Sequence, residues 1–216
     1  MEATGINRPF SGISWKPYLL AAGTVGTLVL YILAWAYPTF PGDEGALVRI
    51  QALRSGWLDD TAIGFANLGL AWVFLPAAAV LIGCLLLARR YADIAMVFGG
   101  LFVIGIGNGL KILVDRPRPE YQFVDSWQSG LSFPSGHTLL AVIMGGVLVY
   151  LVGLWVKPLL ARRVIQVGLI LTVLAMGASR VYLGAHWPSD VIGSYVFGVM
   201  ALMGLIGLRN AVATAR

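Results

Sequence analysis

The sequence predicts an all-α, polytopic membrane protein with six transmembrane helices, and its composition and charge pattern both lead to that prediction. Hydrophobic residues make up 58% of the 216 residues, without counting 27 glycines, and only 12% are charged. A soluble domain carries about 25% charged residues. The apolar residues form six long stretches without a polar face, which a soluble helix would need. No linker or repeat divides the chain, so residues 1–216 are predicted to form one domain.

The six apolar stretches have lengths suited to a bilayer, which an α-helix crosses in about 20 residues. The third and fifth are slightly short, and we expect each to extend through the charged residue at its end, Lys111 or Arg180. The first exceeds the ~7–15 apolar residues of a signal peptide, which favours an uncleaved helix. The predicted spans are residues 18–37, 69–88, 94–110, 138–156, 164–179 and 191–208.

The distribution of Lys and Arg predicts the orientation. With six spans, one side of the membrane holds both termini and nine Lys and Arg residues, and the other side holds six, together with eight Asp and Glu residues. Because loops rich in Lys and Arg remain in the cytoplasm, we expect a plasma (inner) membrane protein with both termini cytoplasmic. This asymmetry accounts for the net charge of +5, and the pattern indicates no nucleic-acid partner.

The first external loop contains an amphipathic pattern. Between residues 42 and 61, apolar residues recur at spacings of three and four, which predicts a short helix lying flat at the outer membrane interface. Asp43 is predicted to cap this helix. Two roles remain open for it: sealing the bundle, or guiding a lipid headgroup toward a site.

The sequence contains no pattern that indicates a metal site or a disulfide bond. The single cysteine, Cys84, lies inside the second predicted span, so neither an internal disulfide nor a CxxC metal site can form. Clustered carboxylates, which a two-metal centre needs, are absent from the sequence. We therefore predict no metal and no cofactor.

The first of three polar blocks, KILVDRPRP, follows the third predicted span. Lys111 ends that span, and Arg118 lies between Pro117 and Pro119, which prevent helix continuation. A lysine binds phosphate as a mobile point charge, and an arginine binds it as a fixed, two-pronged donor. Two alternatives remain: Lys111 only extends its amine to the interface, or Arg116 is the arginine that contacts phosphate.

The second block, PSGH, opens the fourth predicted span. Ser135 is a favourable N-cap, and Gly136 allows a ligand to approach the backbone closely. A helix N-terminus is a ready anion site, and His137 lies in the first turn. The alternative is an ordinary capped helix with a histidine at the interface.

The third block, SRVYLGAHWPSD, joins the fifth and sixth predicted spans. Arg180 ends one span, and a helix is predicted to begin near Ser189, with Asp190 in its first turn and His186 just before it. A carboxylate bonded to one imidazole nitrogen leaves the other nitrogen free as a nucleophile. Asp190 could instead only cap the helix, and both roles can coexist.

These blocks, in this order and at one predicted membrane face, resemble the signature of the type 2 phosphatidic acid phosphatase family. The resemblance covers residues 110–193, and the six-span layout extends it over most of the chain. It implies a membrane lipid phosphatase that uses a phosphohistidine and no metal. His186 would be the nucleophile, oriented by Asp190, and His137 would be the general acid and base. The phosphate-binding residues would be Lys111, Arg118, Ser135, Gly136 and Arg180.

The expected partners are the lipid bilayer and a lipid phosphate of the outer leaflet, and the oligomeric state is not predicted. Undecaprenyl pyrophosphate is favoured, because recycling of a cell-wall carrier lipid outside the cytoplasm suits the topology. Phosphatidylglycerol phosphate and phosphatidic acid are the alternatives. A lipid phosphotransferase on the same scaffold, a haloperoxidase and a lipid transporter are rival functions, and release of free phosphate would separate hydrolysis from all three.

Overall fold

A computed structural model describes residues 17–120 and 130–214, and within these ranges all regular structure is helical. The all-α class is therefore confirmed. A π-helical turn, Ala141–Gly145, makes α6 and α7 one continuous unit. The helices are α1 (Pro17–Ala36), α2 (Asp43–Gln51), α3 (Gly56–Asn67), α4 (Ala71–Leu87), α5 (Tyr91–Val114), α6 (Gly136–Leu140), α7 (Gly146–Trp155), α8 (Leu159–Tyr182) and α9 (Pro188–Thr214).

Four helical units in the described chain are long and apolar enough to cross a membrane: α5, the α6–α7 unit, α8 and α9. Helices α3 and α4 meet at an angle of 51° and form a fifth candidate if they are one broken span. The apolar part of α1 is shorter, so the total of six spans stays a prediction. As expected, α5 continues through Lys111 and α8 continues through Arg180.

The α6–α7 unit forms the centre of the bundle. It packs against α5, α8 and α9, and its residues Leu139, Ile143 and Val147 are fully buried. Small residues at the contacts allow the helix backbones to approach closely, and the resulting van der Waals packing drives helix association in membranes. For example, a Cβ atom added to Gly107 of α5 would lie 2.3 Å from the Leu139 side chain. This packing fixes the ends of the helices at which the three polar blocks lie.

The segment predicted as the first external loop differs from its prediction. It contains α2 and the beginning of α3, where one helix was expected, and α2 packs against α8 and α9. The prediction that Asp43 caps this helix was wrong: Gly42 is the N-cap, and the buried Asp43 carboxylate instead accepts hydrogen bonds from Ser189. Leu47 is buried against Trp187. The loop thus covers the end of the bundle, and its position at a membrane interface stays a prediction.

The predicted orientation can be tested with single cysteines. In a Cys84→Ala background, Glu44→Cys reports on the exposed side of α2, and Ala213→Cys reports on the end of α9. An impermeant thiol reagent added to intact cells should label the cysteine at position 44 and spare that at 213, because Lys and Arg hold the opposite face in the cytoplasm. Both should react after lysis. The reverse pattern on intact cells would contradict the orientation.

Candidate active site

The three polar blocks meet at a cleft of about 390 Å³ between α4, α5 and the start of α6. Three further predicted site residues lie behind its wall and are almost fully buried: Ser135, Arg180 and Asp190. The cleft thus brings together one lysine, one arginine and both histidines of the chain. The predicted residues that line it are Lys111, Arg118, Gly136, His137 and His186.

His186 and Asp190 form a buried pair at the beginning of α9. The Nδ1 atom of His186 lies 3.5 Å from Oδ2 of Asp190. The same oxygen accepts a hydrogen bond from the Trp187 backbone N–H, at 2.9 Å, and one from the Ser132 hydroxyl. A carboxylate that bonds back to the N–H preceding its helix is a capping arrangement. Asp190 therefore caps α9 and faces His186 at the same time.

The other imidazole nitrogen of His186 faces the cations of the cleft. Its Nε2 atom lies 3.4 Å from Nη1 of Arg118. The Arg118 guanidinium is held there because it donates to the carbonyl oxygens of Ala185, at 2.7 Å, and Gly130, at 3.1 Å. Because a carboxylate only accepts hydrogen bonds at neutral pH, we assign the imidazole proton to Nδ1. The Nε2 lone pair then points toward the site where an anion would bind.

Burial lowers the pKa of His186 to about 3. The neighbouring Asp190 carboxylate opposes this effect, and the positive charges of Arg118 and Lys111 reinforce it. A lowered pKa favours the uncharged imidazole, so His186 is neutral at physiological pH. Only the neutral ring has a lone pair with which to attack an electrophile.

This lowered pKa predicts that His186 does not titrate near neutrality. In a His137→Gln variant, His186 is the only histidine of the chain, so ¹⁵N-histidine NMR reports on it alone. We expect its signals to stay unchanged between about pH 5 and pH 8, where an ordinary histidine with a pKa of about 6.5 gains its charge. Free histidine in the same micelle solution is the control. A titration midpoint near 6.5 would contradict the lowered pKa of His186.

His137 enters the cleft opposite a glycine. Ser135 is the N-cap of α6, as predicted, and accepts a hydrogen bond from the Thr138 N–H. His137 follows in the first turn, and its Nε2 has no hydrogen-bond partner within the described chain. A Cβ atom at Gly69 would lie 2.3 Å from Cδ2 of His137. Gly69 therefore makes room for this imidazole, a role that the sequence analysis missed because the two residues lie far apart in the chain.

The Ser135–Gly136 turn is fixed against α9. The Ser135 N–H donates to Oγ of Ser194, at 2.8 Å, and Ser194 donates to the carbonyl oxygen of Asp190, at 2.7 Å. Ser135 itself is fully buried, whereas Gly136 borders the cleft. The phosphate-binding role assigned to Ser135 thus stays a prediction, and Gly136 offers the more accessible backbone. Sequence analysis did not identify Ser194.

The backbone of Arg180 holds the loop that carries His186. Its carbonyl oxygen accepts hydrogen bonds from the N–H groups of Ala185 and His186, at 3.0 and 3.2 Å. Its guanidinium is buried within electrostatic range of Lys111 and His137. Arg180 therefore adds positive charge behind the cleft wall without lining the cleft.

Two residues, one behind the cleft and one lining it, correct or extend the sequence analysis. Arg116, the alternative phosphate contact, is buried and bonded to Asp43 and Asp190, which leaves Arg118 as the arginine at the cleft. Asn108, one turn before Lys111 on α5, lines the cleft and was missed. Its signal in the sequence was an amide inside an otherwise apolar span, because polar side chains in spans are commonly functional.

Comparison with known proteins assigns the family. The family model of the PAP2 superfamily matches residues 92–212, which include all the predicted site residues. The chain belongs to the PAP2 superfamily. The resemblance that the three blocks indicated is thereby confirmed, and with it the membrane lipid phosphatase class.

Named PAP2 relatives differ in substrate. The chain is 30% identical to phosphatidylglycerophosphatase B of Bacillus subtilis, over 73% of this chain and 78% of that protein. It is 29% identical to an undecaprenyl-diphosphatase of Sulfolobus acidocaldarius, over 65% and 66% of the two chains. The crystal structure of a transmembrane PAP2-type phosphatidylglycerolphosphate phosphatase from Bacillus subtilis superposes with a TM-score of 0.78 at 22% identity, covering 90% of this chain and 98% of that one. This likeness shows the shared fold.

Proposed function

We propose that this PAP2 protein hydrolyses a lipid phosphate or pyrophosphate of the outer leaflet, most specifically undecaprenyl pyrophosphate to undecaprenyl phosphate and phosphate. The observation that carries the proposal is the orientation of His186. Its Nδ1 faces the Asp190 carboxylate, and its Nε2 faces Arg118 in a cleft that Lys111 also lines. A neutral imidazole oriented by a carboxylate and surrounded by cations suits attack on a phosphorylated substrate.

The first step is phosphoryl transfer to His186. Its Nε2 lone pair attacks phosphorus, the bond from phosphorus to the lipid-side oxygen breaks, and His137 protonates the departing oxygen. Lys111, Arg118 and Arg180 stabilise the charge that builds on the phosphoryl oxygens. The product is a phosphohistidine and a lipid that has lost one phosphoryl group.

The second step returns the enzyme to its starting state. His137, now unprotonated, accepts a proton from water as the water oxygen attacks phosphorus, and the phosphorus–nitrogen bond breaks to release phosphate. Within the described residues no three His, Cys, Asp or Glu side chains are grouped to hold a metal ion. In the proposed mechanism the lysine and the arginines stabilise the charge.

The apolar wall of the cleft supports a lipid substrate. Phe74 and Leu75 of α4, Ile104 of α5 and Leu140 of α6 line the same cleft as the two histidines. A phosphate held by the cations would thus have its attached chain beside apolar side chains that belong to candidate spans. A water-soluble phosphate ester would gain nothing from such a wall.

A second substrate, phosphatidylglycerol phosphate, is favoured by the Bacillus subtilis relative, which matches over 78% of its length. Both candidates present a terminal phosphate on a membrane anchor, so the same mechanism serves both. They differ in the group that leaves: a lipid phosphate in one case and an alcohol in the other.

Phosphate release by purified protein in detergent tests the proposal. Undecaprenyl pyrophosphate, phosphatidylglycerol phosphate and phosphatidic acid are compared at equal surface concentration. We expect the highest kcat/KM with undecaprenyl pyrophosphate and full activity in EDTA. We also expect inhibition by vanadate, which imitates the five-coordinate phosphorus of the transition state. Activity that EDTA abolishes and magnesium restores would contradict the histidine mechanism. Transfer of the phosphoryl group to a second lipid without free phosphate would indicate the phosphotransferase instead.

A further inference from the structure

A buried ionic network joins the first external loop to the His186–Asp190 pair. Arg116 lies between Asp43 and Asp190, and all three are at most 4% exposed. Its Nη1 is 2.6 Å from Oδ1 of Asp190, and its Nη2 is 2.8 Å from Oδ2 of Asp43. Ser189 completes the network: its N–H and hydroxyl donate to the two oxygens of Asp43, at 3.0 and 2.6 Å, and its hydroxyl accepts from Arg116 at 2.8 Å.

The guanidinium of Arg116 is fixed on its remaining sides as well. Its Nε donates to the carbonyl oxygen of Pro38, at 3.0 Å, and its Cζ lies 4.6 Å from the centre of the Phe40 ring. Neither Arg116 nor Asp43 lines the cleft. The side chains of these two residues are connected to the cleft through Asp190 and its neighbour Ser189.

Hydrogen bonds from its partners orient the Asp190 carboxylate. Oδ1 accepts from Arg116, while Oδ2 accepts from Trp187 and Ser132 and faces His186. The distance from Oδ2 to the imidazole, 3.5 Å, is the longest of these contacts. A small rotation of the carboxylate would therefore make or break the bond to Nδ1, because hydrogen bonds weaken steeply with distance and angle.

The charges of the network matter as much as its geometry. Two carboxylates share one guanidinium, so the set formed by Asp43, Arg116 and Asp190 has a net charge of −1. If Asp43 lost its charge, Arg116 would pair with Asp190 alone. A carboxylate neutralised in this way accepts a hydrogen bond from an imidazole less strongly.

We propose that Arg116 and Asp43 are positioning residues, which hold the Asp190 carboxylate facing Nδ1 of His186 and leave it negative enough to keep the imidazole proton there. This inference rests on the proposed function of His186 as the nucleophile. It also gives the first external loop a role in the reaction, because Asp43 is the first residue of α2.

Asp43→Asn tests the proposal because it removes the charge and keeps the shape. We expect kcat to fall by about 10–100-fold, by analogy with the partners that orient metal-binding histidines, while KM changes by less than about threefold, since Asp43 does not line the cleft. The matched control is Asp93→Asn, which breaks the buried Asp93–Arg209 ion pair between α5 and α9. The control should lower thermal stability and leave kcat unchanged.

A second readout does not depend on turnover. In the His137→Gln background, Asp43→Asn should shift the ¹⁵N signals of His186 away from the Nδ1–H tautomer, and Arg116→Lys should shift them less than Arg116→Met. A folded Asp43→Asn protein with normal kcat and unchanged His186 signals would overturn the proposal. If wild-type protein releases no phosphate, the proposed function fails, and the His186 signals still decide whether the network orients the imidazole.

Discussion

Replacing His186 with alanine should abolish hydrolysis of every lipid phosphate. His186 is the one imidazole that pairs with a carboxylate in the described chain, and no cysteine lines the cleft. The substitution therefore removes the acceptor of the phosphoryl group and leaves only the cations that bind the substrate. Loss of an enzyme's covalent nucleophile can lower kcat by about 10⁶-fold. We expect phosphate release to fall to the background of the assay.

Rapid quench with a ³²P-labelled substrate makes this prediction specific. Wild-type protein should yield an acid-labile, alkali-stable phosphoenzyme, and His186→Ala should yield none. Binding of vanadate to the variant, which keeps Lys111 and Arg118, controls for a folded cleft. An undiminished phosphoenzyme in His186→Ala would show that another residue is the nucleophile.

Replacing His137 with alanine should have an effect that depends on the leaving group. A lipid monophosphate expels an alkoxide, which needs a proton, whereas a pyrophosphate expels a phosphate that leaves readily without one. General-acid catalysis contributes about 10²–10⁴-fold, so formation of the phosphoenzyme from a monophosphate should slow by about that factor. Its formation from the matched diphosphate should slow much less.

The second step separates the two roles of His137. With the diphosphate, we expect phosphoenzyme to accumulate in His137→Ala, because water lacks its general base. Matched mono- and diphosphates of one polyprenol, compared by rapid quench, provide the measurement. Equal slowing of phosphoenzyme formation with both substrates would argue that His137 binds phosphate and does not protonate the leaving group.

The sequence was most informative where charge occurs in apolar surroundings. Lys111 and Arg180 were expected to lie within extended helices, and both do. Ser135 was expected to cap a helix, and Asp190 to lie close to His186, and both expectations are met. These predictions succeeded because they depend on local rules: helix capping, proline geometry, and the cost of placing charge in a membrane.

Contacts between distant segments could not be predicted from the single sequence. The sequence pattern predicted that Asp43 is a local helix cap. In the structure, Asp43 instead bonds to Ser189, which lies 146 positions away in the chain. Gly69 carries no side chain and gave no signal, although it determines the space for His137. Such pairings depend on how helices pack, which the apolar patterns of six similar stretches do not encode.

The break between α3 and α4 has a consequence for how the cleft can be built. Residues 68–70 separate the two helices, and Gly69 lies among them, against the ring of His137. Any side chain at position 69 would enter the volume that the imidazole occupies. The break between the two helices therefore places a glycine, and with it a recess, against the ring of the proposed proton donor.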